Sequence, residues 1–193
     1  MSKTFNAKVG FRAGRFALLT EGTPDTYGTV TQMAAVQSGD MSITLSTAAL
    51  YGDDTKLDEI SEFQSGTLNI TSAGESLTKV ATLLGHDTED SEVIYNQNDS
   101  PPFVGFGALE ALRSKGTTGS AASAFRAWFY PKVKFQEPND TYTGKGENTA
   151  YGGTALAATV FVNGDGNWKH CEDFSGDTAE ADANTWLDAK FGV

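Results

Sequence analysis

Apolar and polar residues alternate with a two-residue period in several parts of this chain, and the two clearest runs lie close together. In the first, Met41, Ile43 and Leu45 alternate with Ser42, Thr44 and Ser46. In the second, Leu68 and Ile70 alternate with Thr67, Asn69 and Thr71. That period marks a strand buried on one face. Each predicted strand therefore has an apolar face and a hydroxyl-rich one. Between them, Tyr51, Asp53, Asp54, Lys56, Asp58, Glu59 and Glu62 lie in a stretch too long and too acidic for a tight turn. It predicts a charged loop thrown out as an arm.

The period changes at residues 75–86, ESLTKVATLLGH. Leu77, Val80, Ala81 and Leu84 fall on one helical stripe, with Ser76 placed to cap the start and Gly85 to end it. A helix over about 76–84 follows, and one so short needs a sheet to lie on. Residues 16–19 predict a short first strand, and 103–112, 124–135 and 154–162 predict further strands, with Pro131 implying an edge or a bulge. Residues 1–13 are polar with scattered bases and read as an arm. In 177–193 an acidic start precedes Ala179, Ala183, Trp186, Leu187 and Phe191 at helical spacing. The expected organisation is an arm over 1–13, a mainly β domain over 14–176, and a helix or arm over 177–193.

Composition narrows the function. A length of 193 residues suits one domain with a real core. The 21 glycines and many hydroxyl residues fit a turn-rich β protein. A net charge of −11 argues against gripping nucleic-acid phosphates, which calls for basic surface. The single cysteine, Cys171, precludes an intrachain disulfide. No window offers the roughly 20 apolar residues of a membrane-spanning helix, and the N-terminus lacks a signal-like apolar run. The expectation is a chain that folds in a cytoplasm, away from membranes.

Candidate chemistry is sparse. Asp53-Asp54 and Asp58-Glu59 are adjacent carboxylates on polar sequence, without the spacing of about 5–10 Å that glycoside hydrolysis requires. Nothing apolar nearby would drive their pKa values apart. His170 and Cys171 are neighbours without further ligands at zinc spacing, which favours a hairpin-side histidine and a half-buried cysteine. No nucleophile elbow or phosphate-binding glycine loop is present. No enzyme, cofactor or metal site emerges.

Several segments, in order, resemble the major tail protein family of long-tailed phages with flexible, non-contractile tails. They are Ala49-Leu50-Tyr51-Gly52-Asp53-Asp54, Gln64-Ser65-Gly66-Thr67-Leu68-Asn69-Ile70, the helix end Leu83-Leu84-Gly85, and Pro101-Pro102-Phe103-Val104-Gly105-Phe106-Gly107. Trp128-Phe129-Tyr130-Pro131-Lys132-Val133-Lys134-Phe135 follows, then a polar run with Thr143, Glu147 and Gly153-Thr154. The resemblance covers about Val9 to Phe161 and implies a tail-tube-type β-sandwich with a flanking α-helix. It further implies hexameric rings stacked into a hollow tube, a virion location after assembly in the host cytoplasm, and tape measure, tail terminator and distal tail proteins as partners.

On that resemblance, about 24 strands spaced about 4.8 Å apart and tilted by about 40° enclose a backbone diameter of about 50 Å. Side chains leave a lumen wide enough for a duplex about 20 Å across. Ser42, Thr44, Ser46, Thr67, Asn69 and Thr71 become candidates for the lumen wall. Tyr51, Asp53, Asp54, Lys56, Asp58, Glu59 and Glu62 become candidates for a loop gripping the next ring, received by bases such as Lys3, Lys8, Arg12 or Lys132. Double-stranded DNA would pass close by without specific binding. The competing expectations are a carbohydrate-binding or adhesive β-sandwich, and another ring-forming component such as a tail terminator or secretion-system tube.

Overall fold

In the computed structural model, residues 6–114, 124–139 and 153–193 are described. The strands are β1 (Asn6–Thr20), β2 (Thr26–Tyr27), β3 (Thr31–Gln32), β4 (Val36–Gly52), β5 (Thr55–Ser72), β6 (Asp87–Glu89), β7 (Glu92–Ile94), β8 (Phe103–Ser114), β9 (Ala124–Gln136), β10 (Thr154–Phe161) and β11 (His170–Ser175). The helices are α1 (Leu77–Leu84) and α2 (Ala179–Phe191). Nine strands join one antiparallel sheet in the order β2-β1-β8-β9-β10-β5-β4, with β3 added to β1 and β11 to β9. β6 and β7 form a separate hairpin. The protein is mainly β. No helix among the described residues is long and apolar enough to cross a membrane.

The sheet curls until its two ends meet. A Cβ on Gly14 of β1 would stand 2.7 Å from Val36 of β4. A Cβ on Gly39 of β4 would stand 2.9 Å from the ring of Phe11 on β1. The enclosed face gathers Phe16, Leu68, Ile70, Val104, Phe106, Val133, Phe135, Leu156 and Val160, with Leu83 and Leu84 of α1 laid against them. These are the inward positions that period-two alternation selects: Leu68 and Ile70 of β5 are buried as expected and Met41 of β4 packs against them, but Ile43 and Leu45, expected on the buried face, are exposed.

α1 ends as expected, because Gly85 adopts the left-handed conformation (φ 77°) and its N–H bonds the Ala81 carbonyl at 2.7 Å. Ser76 occupies the cap position without a side-chain cap hydrogen bond. The buried stripe is Ala81, Leu83 and Leu84, while Leu77, expected within it, is exposed. The helix meets the core from Val80 onward, leaving its first residue in solvent.

The C-terminal segment is helix, and it covers the outer face of β8 and β9. Ala179, Ala183, Leu187 and Phe191 recur every four residues and pack on Ala17, Leu109, Phe125, Ala127 and Phe129. The glycines of β8 make this approach possible: a Cβ on Gly107 would lie 2.8 Å from Leu187, and one on Gly105 2.6 Å from Tyr27. Arg15, 3% exposed, is clamped beneath the helix by Asp188 (2.5 Å) and Asn184. The fold thus has a helix on each face rather than one flanking helix.

Two further expectations change. Residues 6–13, expected within an arm, belong to β1 and pair with β8 from Asn6 onward. Register shifts at Lys8/Gly10 and Arg12/Arg15, with Ala13 at φ 54°, break the alternation that would have revealed a strand. Residues 1–5, including Lys3, lie outside the described residues, as do Thr143 and Glu147. Pro131 lies in the interval where β9 carries one more residue than β8 between Val104/Val133 and Phe106/Tyr130, so the bulge expected for it is present.

Candidate functional site: a projecting arm and a polar face

β4 and β5 are 17 and 18 residues long, yet β10 pairs with β5 only from Gly66 to Ser72. Beyond that point the two strands continue as an isolated ribbon. Leu45 faces Phe63, Ala48 faces Ile60, Leu50 faces Asp58, and Gly52 faces Thr55. At the base of the ribbon Phe63 is tied to the body, its ring stacked on Trp168 with centroids 4.5 Å apart and planes 2° from parallel. About nine residues a side lie past it, an arm of roughly 30 Å at about 3.3 Å per residue.

The long loop expected between these strands is not there. Asp53 and Asp54 alone form the turn, at φ 49° and 59°. Two successive positive φ angles define the tight hairpin turn that matches strand twist, and aspartate tolerates that region. Thr55 Oγ1 donates to the Asp53 carbonyl at 3.4 Å. Charge had pointed to a loop, but Leu57 and Ile60 supply enough strand character to carry pairing up to the turn.

Tyr51 and Lys56 sit opposite one another beside the turn, and Asp58, Glu59 and Glu62 follow along β5. Lys56 pairs with Glu59. Leu45, Leu50, Tyr51, Leu57 and Ile60 are all exposed. An isolated two-stranded hairpin is marginal in water, and exposed apolar side chains on it call for a partner surface.

The register places the lumen candidates on one face. Ser42 lies directly opposite Thr67, Asp40 opposite Asn69, Ser38 opposite Thr71, Thr44 opposite Ser65 and Ser46 opposite Glu62. The row continues across the sheet through Thr159 of β10 to Lys134 of β9, and Gln136 Nε2 donates to Thr159 Oγ1 at 3.0 Å. Ser42, Thr44, Ser46, Thr67 and Asn69 are exposed and Thr71 half-buried. Sequence inspection missed Thr159, Lys134 and Gln136. In TALAATVF the signal was there, since Leu156, Ala158 and Val160 alternate inward, but alanine at 155 and 157 hides the polar face.

Among the described residues, the bases expected to receive an acidic arm already have partners. Lys8 bonds Glu110 at 2.9 Å, Arg12 bonds Glu180 at 3.0 Å, and Lys132 pairs with Glu21. Of these three, Lys8 has the most exposed side chain, with room for a second carboxylate.

Elsewhere, His86 is held between two acids, Nδ1 to Asp99 at 2.6 Å and Nε2 to Glu137 at 3.0 Å, and its ring lies against Tyr95. Burial alone would lower its pKa. The hydrogen bonds to Asp99 and Glu137 and their charges outweigh that, and the net shift is upward. Asp99 is shifted down by the Asn96 N–H and then by His86. This pair ties the end of α1 to the 96–99 turn, with no nucleophile in the arrangement. His170 is pushed down by burial and by Lys190. Cys171 is exposed rather than half-buried, since it lies on β11 at the sheet margin. Among the described residues no cluster of three or more His, Cys, Asp or Glu could hold a metal ion.

No protein-family model and no curated protein matches the chain.

Proposed function

We propose that this chain is a structural, non-enzymatic virion protein that polymerises as stacked rings to form a phage tail tube, a conduit for double-stranded DNA. The observation that carries this reading is the arm: a ribbon leaving a compact β body with exposed leucine, isoleucine and tyrosine side chains and a carboxylate turn. Such an element gains stability by lying on another copy. The exposed hydroxyl face running from Ser42 through Thr67 and Thr159 supports the same reading, because polar strand faces line large water-filled barrels. The net charge of −11 favours release of passing DNA, over a reach of about 8–10 Å at ordinary salt. The order of segments resembling phage major tail proteins adds the ring-and-tube architecture, and with it the tape measure, terminator and distal tail partners.

Negative-stain electron microscopy of the purified chain tests this directly. Long tubes are expected. Isolated rings would favour a terminator, and monodisperse monomers with measurable glycan affinity would favour the adhesive alternative.

A further inference from the structure

At the base of the arm lies a cavity of about 310 Å³, open on one side, between β1, β4, β8 and β9. Phe11, Met41, Leu68, Phe106, Trp128 and Tyr130 supply its apolar wall. Glu110 also lines it, at 8% exposure. One carboxylate oxygen of Glu110 bonds Lys8 at 2.9 Å, and the other, Oε2, is buried with no hydrogen-bond partner among the described residues. A buried carboxylate oxygen without a donor costs free energy, so the cavity is short of one donor. Lys8 and Lys169 flank it, Lys169 with its ammonium 3.8 Å from the centre of the Trp128 ring. Asp40 borders it too, from a position whose neighbours Gly39 and Met41 face inward, so alternation turns its side chain toward Asn69 on the polar face.

We propose that this cavity receives the arm tip of a second copy of the chain, with Tyr51 entering it and the Asp53–Asp54 turn meeting Lys8 and Lys169. The inference rests on the self-assembly reading above and names its docking site. Three properties match. Tyr51 is 65% exposed, and its ring suits an aromatic and aliphatic wall. Its hydroxyl is the donor that Glu110 Oε2 lacks. The turn beside it carries two carboxylates, and the mouth of the cavity carries two ammonium groups, a complementarity that orients docking. The molecule's own tip cannot reach: Ile43, which lines the cavity, is ten strand residues from Asp53, roughly 33 Å at about 3.3 Å each. The occupant is therefore another copy, in a head-to-tail contact that can repeat.

Cys171, the chain's single cysteine, lies opposite Trp128 in the β11–β9 register and is exposed. It reports on the site. In the full chain carrying Tyr51→Cys, mild oxidation should link positions 51 and 171 of different copies, as a ladder on non-reducing gels confirmed by peptide mapping. Adding Cys171→Ser should remove that link. Independently, Lys8→Glu with Lys169→Glu should raise the concentration needed for assembly at least tenfold, and adding Asp53→Lys with Asp54→Lys should recover most of it. Absence of the 51–171 link in assembled material, or wild-type assembly by the charge-reversed variant with its fold verified by circular dichroism, overturns the docking site while self-assembly stands. A wild-type chain that never assembles overturns both.

Discussion

Two halves of one strand pair behave as different materials. Near the body, Leu68 and Ile70 of β5 are covered on the enclosed face and flanked by β4 and β10. Farther along the same strands, Leu50, Leu57 and Ile60 are exposed, with hydrogen-bonded neighbours on one side only. Leucine and isoleucine occur in both halves, in the outer one among Asp53, Asp54, Asp58, Glu59 and Glu62. What differs is whether a third strand and a helix lie alongside, and that is decided elsewhere in the chain, where β10 ends its pairing at Gly66. Strand pairing alone does not bury apolar surface; the inner half is core, and the outer half leaves its apolar side chains exposed.

The sharpest test of that contrast uses one residue type. Ile70→Ala, at a site 1% exposed, should cost about 2–5 kcal/mol of stability in denaturant unfolding. Ile60→Ala, at a site 57% exposed, should change monomer stability by no more than about 0.5 kcal/mol and act on assembly instead. Equal losses would show that the arm packs on its own body. A smaller effect belongs to the helix that covers the inner half: Gly85→Ala forces a Cβ at φ 77° toward the Ser100 carbonyl and should cost about 1–2 kcal/mol or more.

The His86 contact is the next step down. Its pKa is raised on folding, so its contribution is fully present below its unfolded value near 6.5 and is lost as pH rises through the higher folded value. Asp99 is lowered, so its share is present above its unfolded value near 3.8 and is lost as pH falls through the lower folded value. His86→Gln should flatten the decline in stability above pH 6.5, measured by thermal unfolding across pH, and leave the arm's behaviour unchanged. Smallest of all, Glu59→Ala removes an exposed pair with Lys56 and should alter stability by less than about 0.5 kcal/mol.

Much of the body was legible in the sequence. Alternation located the inner halves of β4 and β5, and Gly85 marked the end of α1 because few other residues accept its backbone angles. The arm was legible by its charge but not by its shape. Asp53-Asp54 lacks the glycine that usually signals a two-residue turn, and extra residues at Leu57 and Gln64 throw the alternation of β5 out of phase. β1 was hidden in the same way by its own register shifts. The cavity was not legible at all. Phe11, Met41, Glu110, Trp128 and Lys169 are scattered through the chain, and only the curling of the sheet brings them together.

The measurement that bears most directly on the account is assembly of a chain whose arm is cut back. Residues 46–62 would be replaced by a two-residue turn, leaving Leu45, Phe63 and every buried position in place. Sedimentation velocity and electron microscopy should find the full chain in rings and tubes, and the shortened chain as a folded monomer with nearly unchanged melting temperature. Tubes formed normally by the shortened chain would contradict the account.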